Sequence, residues 1–383
     1  MGGDDLRSDG GAVAPGESSV LDRARALAGR DGAAIVGTIV ALIVFPYLLI
    51  DGLGMLGDLI GYRIGGYEGL ASLVLIYGIV VIGFNLLLGY TGLLSFGHAA
   101  FFGTAAYAAA IFSAQVYGSP LLMVLVGTVV ATLLAWPIGF MSIRRSGVYF
   151  AVLTLTFGQM LYFWALGPGA WLTNGDNGFS GVQVADLFGT LRLEGIVPFV
   201  GTWMYVFVAV FMVLAVAVAS RILNSPYGLI FKALGENEQR VSFVGLDVFR
   251  YKLMAFVISA AFAGVGGSLF VIHESYIHPT TALYWITSGD FVIMTVLGGT
   301  GTLVGPVFGA FVFEYISNVI SGVSLPVIGA IGSLWRLILG AVFVIVVWWL
   351  PEGIYGAIKE GVAWGVDRIE RDRGQPAADG GED

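Results

Sequence analysis

Residues 70–112 read LASLVLIYGIVVIGFNLLLGYTGLLSFGHAAFFGTAAYAAAIF, and this stretch decides the fold. It contains no Asp, Glu, Lys or Arg along its whole length. Its two apolar runs, near 70–88 and 93–114, each have the length of about 17–25 residues that a helix needs to cross a bilayer. The glycines between the runs, including Gly89 and Gly92, disfavour a continuous helix. The stretch therefore predicts two successive membrane spans joined by a turn.

The rest of the chain, read outward from this stretch, repeats the pattern. Further apolar runs lie near 33–50, 120–141, 148–167, 199–219, 251–272, 286–298, 303–320 and 330–350. We predict an all-α, polytopic membrane helical bundle of about ten spans. The count becomes eight to ten if 93–114 or 286–320 re-enters the bilayer instead of crossing it.

The composition supports a membrane protein. Hydrophobic residues make up 57% of the 383 residues and charged residues only 11%, whereas soluble domains carry about 25% charged residues. The chain has no cysteine, which excludes disulfides, thiolate metal sites and cysteine nucleophiles. The three histidines fall in separate segments, so we expect no metal site, no cofactor and no catalytic residues.

The basic residues predict the orientation, because loops on the cytoplasmic side are enriched in Lys and Arg. A ten-span chain with both termini cytoplasmic places Arg63, Arg192 and Arg336 outside or at the outer end of a span. It places the other fifteen of the 18 basic residues inside: Arg7, Arg23, Arg25, Arg30, Arg144, Arg145, Arg221, Lys232, Arg240, Arg250, Lys252, Lys359, Arg368, Arg371 and Arg373. We therefore expect a disordered cytoplasmic tail over 1–32, a membrane domain over 33–358 and a charged cytoplasmic tail over 359–383.

The longest predicted cytoplasmic loop, residues 220–252, contains a short amphipathic helix. Ser225 and Pro226 can begin it, Gly235 can end it, and Leu229, Ile230, Ala233 and Leu234 form an apolar stripe. Such a helix could receive force from a soluble motor protein. Alternatively, it lies in the lipid headgroup layer without a partner.

The glycine-broken segment at 86–112 is a candidate solute path, because interrupted helices line many transport routes. The candidate path residues are Asn85, Gly89, Thr91, Gly92, Ser95 and His98. A buried ionisable residue such as His98 is a functional candidate. The alternative is a neutral histidine that stiffens the bundle through a hydrogen bond to a neighbouring helix.

A second glycine-rich segment, residues 297–311, partly repeats the first. Gly301, Gly305 and Gly309 recur every four residues, a spacing that lets helices pack closely. Five residues match across the two segments: Leu88, Gly89, Thr91, Gly92 and Leu94 correspond to Leu297, Gly298, Thr300, Gly301 and Leu303. On the ten-span topology both turns are cytoplasmic, so the match is a direct repeat or chance.

Several blocks resemble the permease family of branched-chain amino acid ABC importers, and specifically its M-type subunit. The blocks are NLLLGYTGLLSFGHAAFFGTAAY at 85–107, RRSGVYFAVLTLTFGQM at 144–160, TNGDNG at 173–178, ALGENEQRVSFVGLDVFRYKLMAFVISAAFAGVGGSLF at 233–270, LGGTGTLVGPVFGA at 297–310 and WRLILGAVFVIVVWWLPEGI at 335–354. Their order and spacing cover the chain from about 70 to 358.

The resemblance implies a multi-pass cell-membrane permease that imports amino acids with separate partners: a second related permease, two ATP-binding subunits and an extracytoplasmic substrate-binding protein. The implied permease contacts membrane lipid and binds no nucleic acid. The implied ATPase docking residues are Ala233, Gly235, Glu236, Asn237, Glu238 and Gly245. The family's docking loop has Glu-Ala-Ala with a Gly six residues on, whereas here Gly245 lies seven residues after Glu238.

The residues themselves also point to a separate motor. A phosphate-binding loop needs Gly-Lys followed by Ser or Thr, and none of the three lysines follows a glycine. Two alternatives remain open. The same importer could carry urea, short amides or a sugar, or the chain could be an ion-coupled secondary transporter that uses Asp290 and Glu314.

Overall fold

The apolar runs form helices in the computed structural model, which describes residues 37–45, 68–184, 204–318, 324–325, 329–330, 334–350 and 353–357. In chain order the helices are α1 (37–45), α2 (Glu68–Thr91), α3 (His98–Gln115), α4 (Pro120–Ser142), α5 (Val148–Leu166), α6 (Met204–Leu223), α7 (Pro226–Glu236), α8 (Glu238–Phe243), α9 (Val248–Glu274), α10 (Trp285–Gly298), α11 (Gly305–Asn318), α12 (Trp335–Trp349) and α13 (353–357). Single turns occupy Ala170–Thr173, Gly175–Asn177 and Pro279–Ala282, and Ser324–Leu325 pairs antiparallel with Gly329–Ala330.

Six of these helices are long and apolar enough to cross a membrane: α2, α4, α5, α6, α9 and the stretch Pro279–Gly298 that contains α10. The prediction of a helical membrane bundle is confirmed at this level. The other predicted spans fall on α1, α3, α11 and α12, so the count of about ten stays a prediction. The predicted tails at 1–32 and 359–383 lie outside the described residues.

Two helices form the centre of the bundle. In an apolar stretch of 18 residues, 94% of α2 and 78% of α9 is buried, whereas a third or less of the corresponding stretch of α4, α5 or α6 is buried. Helix α9 packs against α2, α3 and α4, while α6 and α11 pack on other sides of α2. A helix that is apolar all round is stable when buried or when lipid covers it. The outer helices therefore present their apolar side chains to lipid or to another membrane chain.

The helix ends follow local backbone chemistry. Gly92 ends α2 with a left-handed φ of 72°, a conformation that glycine adopts without steric cost. The chain is then non-helical from residue 92 to 97, which confirms the predicted break, and α3 begins at His98. Helix α9 begins after Asp247, whose side chain accepts a hydrogen bond from Arg250 N at 3.3 Å.

Candidate docking surface and solute path

The helix predicted within residues 220–252 is present as α7. Pro226 occupies its first turn and Ser225 the N-cap position, but the Ser225 hydroxyl donates to Ile222 O at 2.6 Å instead of capping the helix. A second short helix, α8, begins after Asn237, whose side chain accepts from Arg240 N at 3.1 Å. Gly245 follows α8 with a φ of 86°. The loop therefore forms two consecutive surface helices.

The buried face of α7 differs from the predicted stripe. Gly228, Phe231 and Leu234 are buried, while Leu229 and Ala233 point outward. The reason is the position of α7 against the end of α2. Gly235 lies so close to the Tyr90 carbonyl that an added Cβ would collide with it. Lys232 Nζ lies 5.8 Å from the centroid of the Tyr90 ring, within the range of a cation–π contact.

Helices α7 and α8 expose large apolar side chains. The exposed fractions are 68% for Leu229, 87% for Phe243 and 79% for Val244. Exposed apolar groups on a polar loop mark interaction sites more often than isolated surface residues do. The residues named for ATPase docking are also exposed: Ala233, Gly235, Glu236, Asn237, Glu238 and Gly245. We call this set, with Leu229, Phe243 and Val244, the docking surface.

Glu238 also has a partner within the chain. Its Oε1 lies 2.5 Å from Lys252 Nζ, and the lysine side chain is only 4% exposed. The pair joins α8 to the start of α9. No sequence pattern predicts this pair, because fourteen positions separate the two residues and they are not three or four residues apart on one helix.

The path candidates at the end of α2 are held by backbone groups. Asn85 Nδ2 donates to Thr302 O at 2.7 Å, and Asn85 Oδ1 accepts from Gly301 N at 3.0 Å. The Thr91 hydroxyl donates to Leu87 O at 2.6 Å within its own helix. Both side chains are buried, whereas Gly92 at the helix end is exposed.

Ser95 and His98 lie in and beside the helix break, and both are fully buried. The Ser95 hydroxyl accepts a long hydrogen bond of 3.4 Å from Gly97 N. His98 Nε2 lies 2.7 Å from Ser259 Oγ of α9. Three phenylalanine rings surround the imidazole, with centroids 4.8 to 5.9 Å away. His98 Nδ1 has no hydrogen-bond partner among the described residues.

The three glycines of the second glycine-rich segment have different environments. Gly305 and Gly309 are buried where α11 crosses α10, and a Cβ at either position would collide with a carbonyl oxygen of Gly298 or Met294. Gly301 lies in the preceding turn with a φ of 77°, close to the Gly89 carbonyl. The structure thus places Gly305 and Gly309 at a close helix contact and Gly301 at a turn beside α2.

The TNGDNG segment, residues 173–178, forms a compact loop that contacts the residues between α9 and α10. Asn174 and Gly175 have left-handed φ angles of 64° and 56°. Phe179 pairs antiparallel with Ile277, and the Tyr276 hydroxyl donates to Asn177 O at 3.2 Å. The segment that follows α5 is therefore fastened to the segment that follows α9.

Comparison with known proteins gives the family. The family model described as "Branched-chain amino acid transport system / permease component" matches residues 66–347, which include every span described from α2 to α11. The chain belongs to this permease family. It is a multi-pass protein of the inner (cell) membrane, and its relatives are transporter subunits.

Individual relatives agree with this family. The high-affinity branched-chain amino acid transport system permease protein LivM of Escherichia coli is 30% identical over 308 residues, which cover 76% of this chain and 70% of the relative. The probable LivM of Methanocaldococcus jannaschii is 23% identical over 46% of this chain and 52% of its own. An autoinducer 2 import system permease protein, LsrC of Photorhabdus laumondii, is 28% identical over 30% of this chain and 36% of its own. No solved structure matches the chain.

Proposed function

We propose that this permease is one of two pore-forming subunits of an ATP-driven importer, and that it moves branched-chain or related amino acids inward. ATP is hydrolysed on separate chains. The solute class is that of the LivM relatives, which are named as branched-chain amino acid transport permeases. The observation that carries the motor-driven mechanism is the docking surface of α7 and α8, where Leu229, Phe243 and Val244 are exposed.

The charge of the surrounding loop supports a cytoplasmic position for the docking surface. Residues 220–252 hold five basic residues, namely Arg221, Lys232, Arg240, Arg250 and Lys252, and such loops stay on the cytoplasmic side. An ATP-binding subunit on that side would cover the exposed apolar side chains. In the proposed topology of about ten spans, this orientation puts both termini and the loop 220–252 on the cytoplasmic side.

The partner set of the proposal is a second related permease, two ATP-binding subunits, an extracytoplasmic substrate-binding protein and the surrounding lipid. The outer helices have apolar surface for a second membrane chain and lipid: Leu133 of α4, Trp348 and Trp349 of α12 and Phe163 of α5 are each more than half exposed. A membrane chain leaves such groups uncovered only where lipid or another chain lies against them.

The segment around the helix break is proposed as part of the solute path. In the described conformation Ser95 and His98 are enclosed, so the path opens only when α2 and α3 move apart. The unpaired Nδ1 of His98 supports this proposal, because buried polar atoms without a partner are rare and costly. A polar solute or water that reaches the opened break would satisfy it.

Docking is tested by charging the exposed apolar side chains. In Leu229→Asp/Phe243→Asp we expect the ATP-binding subunits to be lost on purification and ATP-driven transport to stop, while membrane insertion stays normal. Val116→Asp is the matched control, because Val116 is 69% exposed and lies at the C-terminal end of α3, the end opposite to the helix break. Retention of the ATP-binding subunits by the double variant, at the level of the control, would overturn the docking proposal.

The class of transporter is tested in reconstituted vesicles. We expect uptake to require ATP and the binding protein, and to be unaffected when proton and sodium gradients are collapsed. A secondary transporter would respond to the gradients instead. Its candidate carboxylates are Asp290, partly buried in α10, and Glu314, which accepts a hydrogen bond from Asn318 Nδ2 at 2.8 Å. The match to LsrC keeps a non-amino-acid solute as the alternative cargo, to be decided by competition for uptake.

A further inference from the structure

The two glycine turns that resemble each other in sequence touch each other in the fold. We call residues 88–94 the first glycine turn and residues 297–303 the second glycine turn. The side chain of Asn85, one helical turn before the first glycine turn, joins them: its amide donates to Thr302 O and accepts from Gly301 N, at 2.7 and 3.0 Å. The two bonds use both ends of one side chain, which is 2% exposed.

The backbones of the turns approach closely around Asn85. A Cβ at Gly89 would collide with both the Asn85 side chain and Gly301 N. Within the second turn, Thr302 Oγ1 donates to Gly299 O at 3.0 Å and accepts from Gly305 N at 3.1 Å. The bonds of Asn85 therefore reach a turn that is itself braced against the start of α11.

The first glycine turn also contacts helix α7, through Tyr90. Gly235 packs on the Tyr90 carbonyl, and Lys232 lies over the Tyr90 ring. Tyr90 is five residues from Asn85 on the same helix. A continuous set of contacts therefore runs from α7 through the end of α2 and through Asn85 to the turn between α10 and α11.

We propose that Asn85 is a positioning residue for transport, which makes the two glycine turns one unit seated on α7, so that displacement of α7 moves α2 and the α10–α11 pair together. The inference rests on the proposed function, in which α7 receives the motion of the ATP-binding subunits. Without the side chain of Asn85, α7 still moves the end of α2, but the second glycine turn no longer follows. Part of the movement that each ATP cycle produces in α7 then fails to reach α10 and α11.

This role differs from lining the solute path. Both ends of the Asn85 amide are occupied by backbone groups, so it has few remaining bonds to offer a passing solute. A positioning role predicts that its loss changes how much solute is moved per ATP and leaves the solute's apparent KM unchanged. A path role predicts a change in KM.

The first test measures coupling in the complete reconstituted complex. In Asn85→Ala we expect ATP hydrolysis to continue, the number of ATP molecules used per imported solute to rise several-fold, and KM to stay at the native value. Thr295→Val is the control: it also removes one buried side-chain bond, from Thr295 Oγ1 to Phe291 O at 2.7 Å, but this bond lies within α10. We expect native coupling there. Native coupling in Asn85→Ala, or a changed KM with an unchanged ratio, would overturn the inference.

The second test first measures the complex with Asn85 in place, and that measurement does not depend on whether the Asn85→Ala variant folds. Spin labels at Tyr227→Cys on α7 and Thr300→Cys in the second glycine turn use two exposed positions in a chain without cysteine. With partner chains also free of cysteine, we expect one label distance in the nucleotide-free, ATP-bound and vanadate-trapped complex. In the Asn85→Ala background a second distance should appear.

The outcomes separate the inference from the proposed function. A native complex without ATP-driven uptake would overturn both. A native complex that imports its solute while the distance between the labels changes during the cycle would overturn the inference alone. Loss of folded Asn85→Ala complex leaves the native label distances to decide it.

Discussion

At the scale of single residues, the contact between Glu238 and Lys252 changes how substitutions in the docking surface are interpreted. Glu238 is exposed enough to meet a partner, but it also neutralises a buried ammonium group. Glu238→Lys would place a second cation beside Lys252, so loss of activity in that variant would not by itself show lost docking. Leu229 and Phe243 have no such internal role, because their side chains are mostly exposed.

The ion pair leads to a stability prediction. Glu238→Gln should lower the free energy of unfolding by about 1–3 kcal/mol, because it leaves the buried Lys252 ammonium without a counter-charge. We expect less than the roughly 3–5 kcal/mol of a fully buried pair, since the Glu238 side chain is 45% exposed. Arg250→Gln is the control, because its pair with Asp247 is exposed on both sides and such pairs contribute about 0–1 kcal/mol. Equal shifts in the unfolding temperature of the two variants would contradict this assignment.

A second residue-scale prediction concerns the partner of His98. Ser259→Ala removes the hydroxyl that bonds His98 Nε2 and leaves a buried imidazole without any hydrogen bond, at a cost of about 1–3 kcal/mol. Ser268→Ala on the same helix is the control. The Ser268 hydroxyl donates to Gly264 O within α9, so this bond does not connect two helices. Thermal unfolding of the purified permease measures both. The interpretation fails if Ser268→Ala is the more destabilised variant.

At the scale of elements, the sequence predicted the positions of the helices well and their faces less well. Hydropathy and glycine placed the ends of α2, α4, α5 and α9 within a few residues, because length and apolar content alone decide whether a helix is stable in lipid. The apolar stripe predicted for α7 does not coincide with the buried face of the helix, because Leu229 and Ala233 of that stripe are exposed. That face depends on contact with Tyr90, about 145 positions earlier in the chain, and local periodicity carries no information about it.

The close crossing of α10 and α11 gives an element-scale prediction. Gly309→Ala should separate the helices and cost about 1–3 kcal/mol of stability, as overpacking of a tight contact does, because the new Cβ would meet the Met294 carbonyl. Gly340→Ala in α12 is the matched control, since a Cβ there meets nothing within 4 Å. We expect it to be neutral or slightly stabilising, because alanine favours a helix over glycine by about 1 kcal/mol. Comparable loss of folded protein in both variants would show that the crossing is not the cause.

At the scale of the whole molecule, the sequence was sufficient for the class of protein and the family, and insufficient for the contacts within the site. The membrane class follows from composition, and the family from blocks spread along the chain. The bridge from Asn85 to Gly301 and the bond from His98 to Ser259 join residues 216 and 161 positions apart. No repeat, spacing or charge pattern specifies such a pair. The match between the two glycine turns was the one sequence signal near the Asn85 bridge.

The orientation of the whole chain is the last prediction, and the proposed docking and solute path both depend on it. The absence of cysteine permits single introduced thiols without background. Asn177→Cys lies in an exposed turn between α5 and α6, and Ser242→Cys is exposed in α8. Since basic residues are concentrated around α8 and are sparse around residue 177, the positive-inside bias predicts that α8 lies in the cytoplasm.

In intact cells, an impermeant thiol reagent should therefore modify Asn177→Cys and leave Ser242→Cys unmodified until the membrane is permeabilised. The permeabilised sample is the control, because both thiols should then react to a similar extent if both are exposed in the folded protein. Between these two positions the chain contains α6, a 20-residue apolar helix that is long enough to cross once. Labelling of both thiols from outside would mean that α6 does not cross. Labelling of Ser242→Cys alone would invert the molecule, and an inverted molecule would place the docking surface where no ATP-binding subunit could reach it.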